Sequence, residues 1–225
     1  MPAEGTLRDG ADAGLRLIET MRWEPGAGLL RRDLHFARLG GSARELGFSL
    51  APEEVNLRVA AALEGAMAAM RVRLALERDG KVTVEAKPFA PLAPGTVWRL
   101  RIAATRLSSS DPLLRHKTSR RDAYEAAWAE FSPHQADEVL LLNEKGELCE
   151  GTITSLFVET GYGLLATPPL ACGLLAGVLR AELIGQGKAE ERTLRPEDLG
   201  DAGRIFVGNS LRGLIEARLS PEGAA

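Results

Sequence analysis

The stretch Leu148-Cys149-Glu150-Gly151-Thr152-Ile153-Thr154-Ser155-Leu156-Phe157 follows a tight turn at Asn143-Glu144-Lys145-Gly146. It reads as a strand, and on a strand alternate residues share a face. Glu150, Thr152 and Thr154 then form a polar row amid apolar neighbours. Carboxylates are seldom buried without a partner. The row therefore marks a strand that lines a polar site, or an edge strand whose polar face meets water.

The rest of the chain reads as α+β. Leu15 to Trp23 has strand character and ends at the turn Glu24-Pro25-Gly26. Between Asp33 and Leu46, the residues Leu34, Leu39, Ala43 and Leu46 recur at helical intervals, with Gly47 as a stop. Pro52 opens an alanine-rich helix running to about Met70. Val72, Leu74 and Leu76 alternate with other residues before the hairpin signal Asp79-Gly80, and Val82-Thr83-Val84 reads as the return strand. A further strand covers Val97 to Ala104. Leu107-Ser108-Ser109-Ser110-Asp111-Pro112 has the composition of a linker. Beyond it come a helix from Asp122 to Phe131 and strands at Glu138–Leu142, Leu148–Val158 and Leu164–Ala166. A helix over Val178–Ile184 and a strand over Arg204–Val207 follow. Pro221 to Ala225 reads as a frayed tail. The expected division is a smaller α/β domain over 1–106, a linker over 107–112 and a larger α/β domain over 113–225.

Composition narrows the function. With 225 residues the chain suffices for one large or two small cores. A net charge of −3 gives no reason to expect nucleic acid or an anionic membrane as partner. No apolar run is long enough to span a bilayer. The start Met1-Pro2-Ala3-Glu4-Gly5-Thr6 lacks the basic and apolar pattern of a signal peptide. The two cysteines, Cys149 and Cys172, form no metal-binding spacing. These features lead to an expectation of a cytoplasmic protein with reduced thiols and no metal.

Lysine is scarce, with five residues in the chain. Lys81, Lys87, Lys145 and Lys188 sit in turns or at element ends. Lys117 lies instead in the cluster Arg115-His116-Lys117-Thr118-Ser119-Arg120-Arg121. Neighbouring cations lower an amine's pKa and make it a better nucleophile and base. A solvated basic loop is the other reading. Gly173-Leu174-Leu175-Ala176-Gly177 opens into a helix whose first N–H groups suit an anion. Gly208-Asn209-Ser210-Leu211 is a second short polar loop after a strand.

In order and spacing, these pieces resemble the class IV (fold type IV) pyridoxal-phosphate enzymes. The resemblance rests on Glu19-Thr20-Met21-Arg22, His35-Phe36-Ala37-Arg38-Leu39, Lys117, Glu150-Gly151-Thr152, Thr167-Pro168-Pro169 and Gly177-Val178. It implies two α/β domains with pyridoxal 5'-phosphate at their interface, within a homodimer. It implies that Lys117 carries the covalent link to the cofactor and that Glu150 pairs with the pyridine nitrogen. Arg38 would be the phosphate-binding arginine, the backbone at Gly177, Val178 and Leu179 would hold the phosphate, and Asn209 and Ser210 would lie beside it. Thr152 and Thr154 would complete the cofactor pocket. Arg22, Arg73 and Arg212 are the candidates for binding a carboxylate of a small amino substrate.

The loop Gly208-Asn209-Ser210-Leu211-Arg212-Gly213 looks most like that of the 4-amino-4-deoxychorismate lyases, and the short chain favours the same branch. That resemblance implies conversion of aminodeoxychorismate to 4-aminobenzoate and pyruvate, a step towards folate. The alternatives are transamination of branched-chain or D-amino acids, and an inactive binding protein on the same scaffold. Leu179 stands where aminotransferases have a threonine, and Ser155 where asparagine is usual.

Overall fold

The structure is a computed structural model, and it describes residues 14–160, 163–200 and 203–220. The tail expected at Pro221 to Ala225 and the start of the chain lie outside the described residues.

Strand β1 (Leu17–Glu24) turns back into the short β2 (Gly28–Leu29). Helices α1 (Arg32–Glu45) and α2 (Pro52–Ala62) follow, then the hairpin β3 (Met70–Leu76) and β4 (Val82–Pro88). These strands form an antiparallel sheet in the order β2-β1-β3-β4. In its register Leu17, Glu19 and Met21 face Leu76, Leu74 and Val72. The apolar members of that row, all but Glu19, pack with Leu39 and Ala43 of α1 and Val55 and Val59 of α2. The alternate row, Ile18, Thr20, Arg71 and Arg73, is left for the other face. Helix α2 ends at Ala62, short of the expected Met70. Gly65 at φ +71° breaks it, and Met70 already belongs to β3.

The remaining strands build a second sheet. They are β5 (Val97–Leu107), β6 (Glu138–Asn143), β7 (Leu148–Gly151), β8 (Ser155–Glu159), β9 (Leu165–Thr167), β10 (Ala189–Glu191), β11 (Ile205–Asn209) and β12 (Gly213–Leu219). Helices α3 (Asp122–Ala129), α4 (Val178–Gly185) and α5 (Pro196–Gly200) interrupt them. The order is β10-β9-β8-β11-β12-β5-β6-β7, and β7 pairs with β8 as well. Six strands therefore close on themselves, with β9 and β10 as an extension. Strand β6 is buried along its whole length. Leu140 and Leu142 pack into one cluster with Leu100, Leu148 and Leu156, while Val139 and Leu141 pack against Tyr124 and Ala127 of α3. Burial on both faces explains the unbroken apolar run. Strand β5 belongs to this sheet, so the change of sheet comes between β4 and β5, ahead of the 107–112 segment.

Two features of the second sheet differ from expectation. The stretch 148–158 is two strands, not one, because the chain turns at 152–154 and Ser155 pairs back with Glu150. Strands β10 and β12 are present where none was expected; β10 is three residues long, and β12 alternates buried and exposed residues over Gly213–Leu219.

The segment after β5 makes a short 3-10 turn at Pro112–Arg115 and then runs along β1. Ile18 N–H donates to Lys117 O at 2.8 Å, and Ser119 N–H to Arg16 O at 2.9 Å. Lys117 is thereby stitched to the small sheet while its chain neighbours continue into the large one.

Candidate active site

A cavity of about 470 Å³ lies where the two sheets meet. Lys117 and Glu150 both line it. Burial lowers the Lys117 ammonium to a pKa of about 8; the charges of Arg38 and Arg121 act in the same direction, against Glu19 and Glu150. Such an amine is half free at about pH 8, where an ordinary lysine is almost wholly protonated, and can act as nucleophile or base.

Glu150 is 4% exposed, and burial pushes its carboxyl up to about 7. Its Oε1 accepts from the Tyr124 hydroxyl at 2.7 Å and from Leu175 N–H at 2.9 Å. Both bonds favour the ionised form and limit the rise. Oε2 has no protein donor among the described residues and remains available to a ligand. Arg121 stacks over the Tyr124 ring at 4.8 Å and donates to Thr152 O. Tyr124, in the first turn of α3, and Arg121, at its N-cap, were missed as site residues; their spacing of three, soon after Lys117, was the available signal.

The 152–154 turn is held from behind by Glu138, which is fully buried. Its Oε1 accepts from Thr152 N–H at 2.9 Å and the Thr152 hydroxyl at 2.6 Å; its Oε2 accepts from the Thr154 hydroxyl at 2.7 Å and Ile153 N–H at 3.2 Å. A Cβ on Gly151 would stand 2.7 Å from Glu138 Cδ, so only glycine fits there. Thr152 and Thr154 line the cavity, yet their hydroxyl hydrogens are committed to Glu138. They shape the wall and are not free donors to a cofactor. Glu138 was missed because a glutamate opening an apolar strand reads as exposed.

Another part of the cavity is lined by His35 and Arg38 of α1. His35 and Arg38 share a face of α1 at i and i+3, and Arg31 stands at its N-cap. Arg38 donates to Glu19 Oε1 at 2.8 Å and Oε2 at 2.6 Å, and to Ala176 O at 3.0 Å. Its Nε and Nη2 edge is thus spent on Glu19 and one Nη1 hydrogen on Ala176 O, and its reach towards an anion is limited to the remaining N–H bonds. His35 lies between Glu19 and Ser210, at 2.6 and 2.7 Å. Arg31, at φ 56°, reaches across to Glu182 at 2.7 Å and to Ser210 O at 3.2 Å.

Gly177 caps α4 without a side-chain hydrogen bond. A Cβ on it would come 2.6 Å from Ser155 Oγ, which explains both the glycine and the small residue at 155. Gly177 N–H is used by Leu175 O at 2.8 Å. The N–H groups of Val178 and Leu179, at the helix start, are the ones open to an anion. Asn209 departs from the expected role. Its Oδ1 accepts from Leu211 and Arg212 N–H, and its Nδ2 donates to Ile153 O, so it ties the 209–213 turn to the 152–154 turn.

Arginines dominate the mouth. Arg71, Arg73 and Arg212 line the cavity. The Arg212 guanidinium lies 5.9 Å from the Trp98 ring, and its pKa is lowered by burial and by the charge of Arg71. Arg22 does not belong to the cavity lining: it pairs with Glu24 and stacks over Phe89. Arg71, its cross-strand partner, was not among the expected site residues. Among the described residues there is no cluster of side chains able to hold a metal ion, and no helix is long and apolar enough to cross a membrane.

The family model for class IV amino-transferases matches residues 16–219. A Schizosaccharomyces pombe protein named "Putative aminodeoxychorismate lyase" is 28% identical over 186 residues, 79% of each chain. Among solved structures, a "Putative amino-acid aminotransferase" from Mesorhizobium loti is 58% identical with a TM-score of 0.90, covering 92% of this chain and 100% of that one. The 4-amino-4-deoxychorismate lyase of Pseudomonas aeruginosa is 24% identical with a TM-score of 0.78 over 97% of this chain and 88% of its own, a likeness of fold.

Proposed function

The chain belongs to the class IV aminotransferase family, and from that premise we propose that it binds pyridoxal 5'-phosphate and cleaves 4-amino-4-deoxychorismate to 4-aminobenzoate and pyruvate. The residues present fit the cofactor. A lysine with a lowered pKa and a carboxylate with one open oxygen share a cavity large enough for cofactor and substrate. The free N–H groups at the start of α4 and the Ser210 hydroxyl provide an anion corner. Lys117 would hold the cofactor covalently, Glu150 Oε2 its ring nitrogen, and Val178, Leu179, Ser210 and the remaining Arg38 donors its phosphate.

When bound, the cofactor supplies an electron sink for the pair left as a proton departs from the carbon bearing the substrate nitrogen. Lys117, with its amine free, would take that proton at Nζ. Glu150 would favour a proton on the ring nitrogen, and Tyr124 fixes the carboxylate in place. Breaking the C–O bond to the enolpyruvyl group would leave an aromatic ring, and the departing enolpyruvate would become pyruvate on taking up the proton held at Lys117 Nζ.

The observation that carries the lyase reading is the cationic mouth. Neither Arg71 nor Arg212 has a carboxylate hydrogen-bonded to it among the described residues. Two such cations near each other are costly unless anions join them, which suits a substrate with two carboxylates. The name of the Mesorhizobium relative favours a second reading, transamination of an amino acid with the same lysine. The family resemblance further supports a homodimer in the cytoplasm, which sedimentation and fractionation would test.

The decisive assay supplies aminodeoxychorismate without a keto acid and measures pyruvate. Pyruvate release supports the lyase. Rapid transamination of leucine or D-alanine with no pyruvate release replaces it with the aminotransferase reading. Arg212→Ala should raise KM for the dicarboxylate about tenfold or more, the worth of a charge-assisted hydrogen bond, while the spectrum of the bound cofactor stays unchanged.

A further inference from the structure

We propose that His35 takes up a proton when a phosphate group enters beside Ser210, and that this proton turns the Ser210 hydroxyl from His35 towards the anion. The inference rests on the cofactor reading above and concerns how this chain's own residues receive the phosphate.

Glu19 and His35 are each 1% exposed. Burial pushes the Glu19 carboxyl up, but the charge of Arg38 and hydrogen bonds from His35 and Arg38 outweigh it and hold the pKa below its ordinary value. An ionised carboxylate only accepts, so the hydrogen in the 2.6 Å contact sits on His35 Nδ1. The 2.7 Å contact between His35 Nε2 and Ser210 Oγ then has two possible polarities. If the ring is neutral, Nε2 is a lone pair and the serine hydroxyl donates to it. Only serine lone pairs then face the cavity, and an anion is repelled. If the ring is an imidazolium, Nε2–H donates to Oγ, and the serine hydrogen is free to donate to the anion.

Charge balance selects between the two. Without a ligand, the carboxylate of Glu19 is neutralised by the bidentate Arg38, so a further positive charge on buried His35 has no counter-ion of its own. A phosphate dianion supplies one. The other charged groups leave this balance in place. Lys117 acts on both Glu19 and Arg38 from the neighbouring segment. Arg31 is paired with Glu182 of α4. His116 reaches α1 further on, at Ser42 and Glu45. The 209–213 turn presents Ser210 to the ring as a neutral group and carries the charge of Arg212. Binding that favours the protonated ring must weaken as pH rises, approaching tenfold per pH unit for one coupled proton.

The test uses pyridoxine 5'-phosphate, which carries the phosphate but no aldehyde to react with Lys117. It is run near pH 8, where the phosphate is already a dianion. The chain has three histidines, so the ¹⁵N spectrum of histidine-labelled protein is simple. His116→Gln and His134→Gln assign the His35 signals by elimination and leave His35 in place. We expect a bare His35 Nε2 in the free protein and a protonated one in the complex. Calorimetry in buffers of different ionisation enthalpy should show proton uptake that persists in Lys117→Met and is lost in His35→Gln. Binding with His35 Nε2 in the same state before and after would overturn the inference and leave the cofactor reading intact. Failure of pyridoxine phosphate to bind at all would overturn the cofactor reading and this inference with it.

Discussion

Tyr124 donates its hydroxyl hydrogen to Glu150 Oε1 at 2.7 Å, joining the first helix after the lysine segment to the strand that carries the site carboxylate. The bond stabilises the ionised carboxylate and lowers its pKa. Tyr124→Phe should therefore move the Glu150 titration upward from about 7. At neutral pH the variant should turn over substrate about tenfold or more slowly, as expected for a hydrogen bond to a charged group. The pH–rate profile checks this: its acidic limb should lie at higher pH in the variant, and an unmoved limb would detach Tyr124 from the mechanism.

Lys117 should bind pyridoxal phosphate covalently at a rate that rises with pH and levels off above about 8, because only the free amine attacks an aldehyde. Stopped-flow absorbance gives the rate, and borohydride reduction followed by mass spectrometry gives the attachment site. Lys117→Met should show no covalent adduct. A rate still climbing steeply towards pH 10 would mean that the amine is not depressed, and an adduct on another lysine would displace Lys117.

Burying Glu150 should leave a signature in stability without any ligand. Its folded pKa is raised from 4.5 to about 7, so the folded protein binds this proton more tightly than the unfolded chain. Its stabilising contribution is complete below the ordinary carboxylate value and is lost as pH rises through about 7. Glu150→Gln lacks this loss. The difference in stability, variant minus wild type, should grow between pH 4.5 and 7 by an amount on the order of 3 kcal/mol and then stay flat. Denaturant melts across that range read it directly, and a constant difference would contradict the burial argument.

Glu138 should be the most sensitive position behind the cavity wall. Glu138→Ala takes the acceptor from the Thr152 and Thr154 hydroxyls and from the N–H groups of Ile153 and Val139, while Thr152 N–H keeps Val139 O; each group left without a partner costs about 1–3 kcal/mol. Glu138→Gln should recover part of the loss, since one oxygen still accepts while the amide faces Ile153 N–H with the wrong polarity. Cycles pairing Glu138→Gln with Thr152→Val and Thr154→Val should show coupling of about 0.5–3 kcal/mol. Additive losses would show that the threonines act independently of the carboxylate.

The fold was largely legible in local chemistry. Alternation in β3 and β4, the Asp79-Gly80 turn and the helical spacing of Leu39 and Ala43 each record a period imposed by the backbone itself. Lys117 and Glu150 stood out for the same kind of reason, an amine among cations and a carboxylate in an apolar strand. Two adjacent strands were harder to separate, because the residues of the 152–154 turn continue the alternation of β7 and carry no proline or extra glycine. The turn is set by Glu138, which is well removed in sequence.

The amino-acid sequence by itself determined the elements and the two reactive groups, because periodicity, turn chemistry and burial preference act over a few neighbours. Only the tertiary structure decided which polar groups remain available. Thr152 and Thr154 look like ligand donors in sequence, yet their hydroxyl hydrogens go to Glu138, and Asn209 spends one amide hydrogen on Ile153 O. Arg22 and Arg71 are cross-strand partners, yet only Arg71 lines the cavity. A hydrogen bond depends on which two groups meet at about 3 Å, and for residues far apart in the chain that is settled by how the two sheets pack.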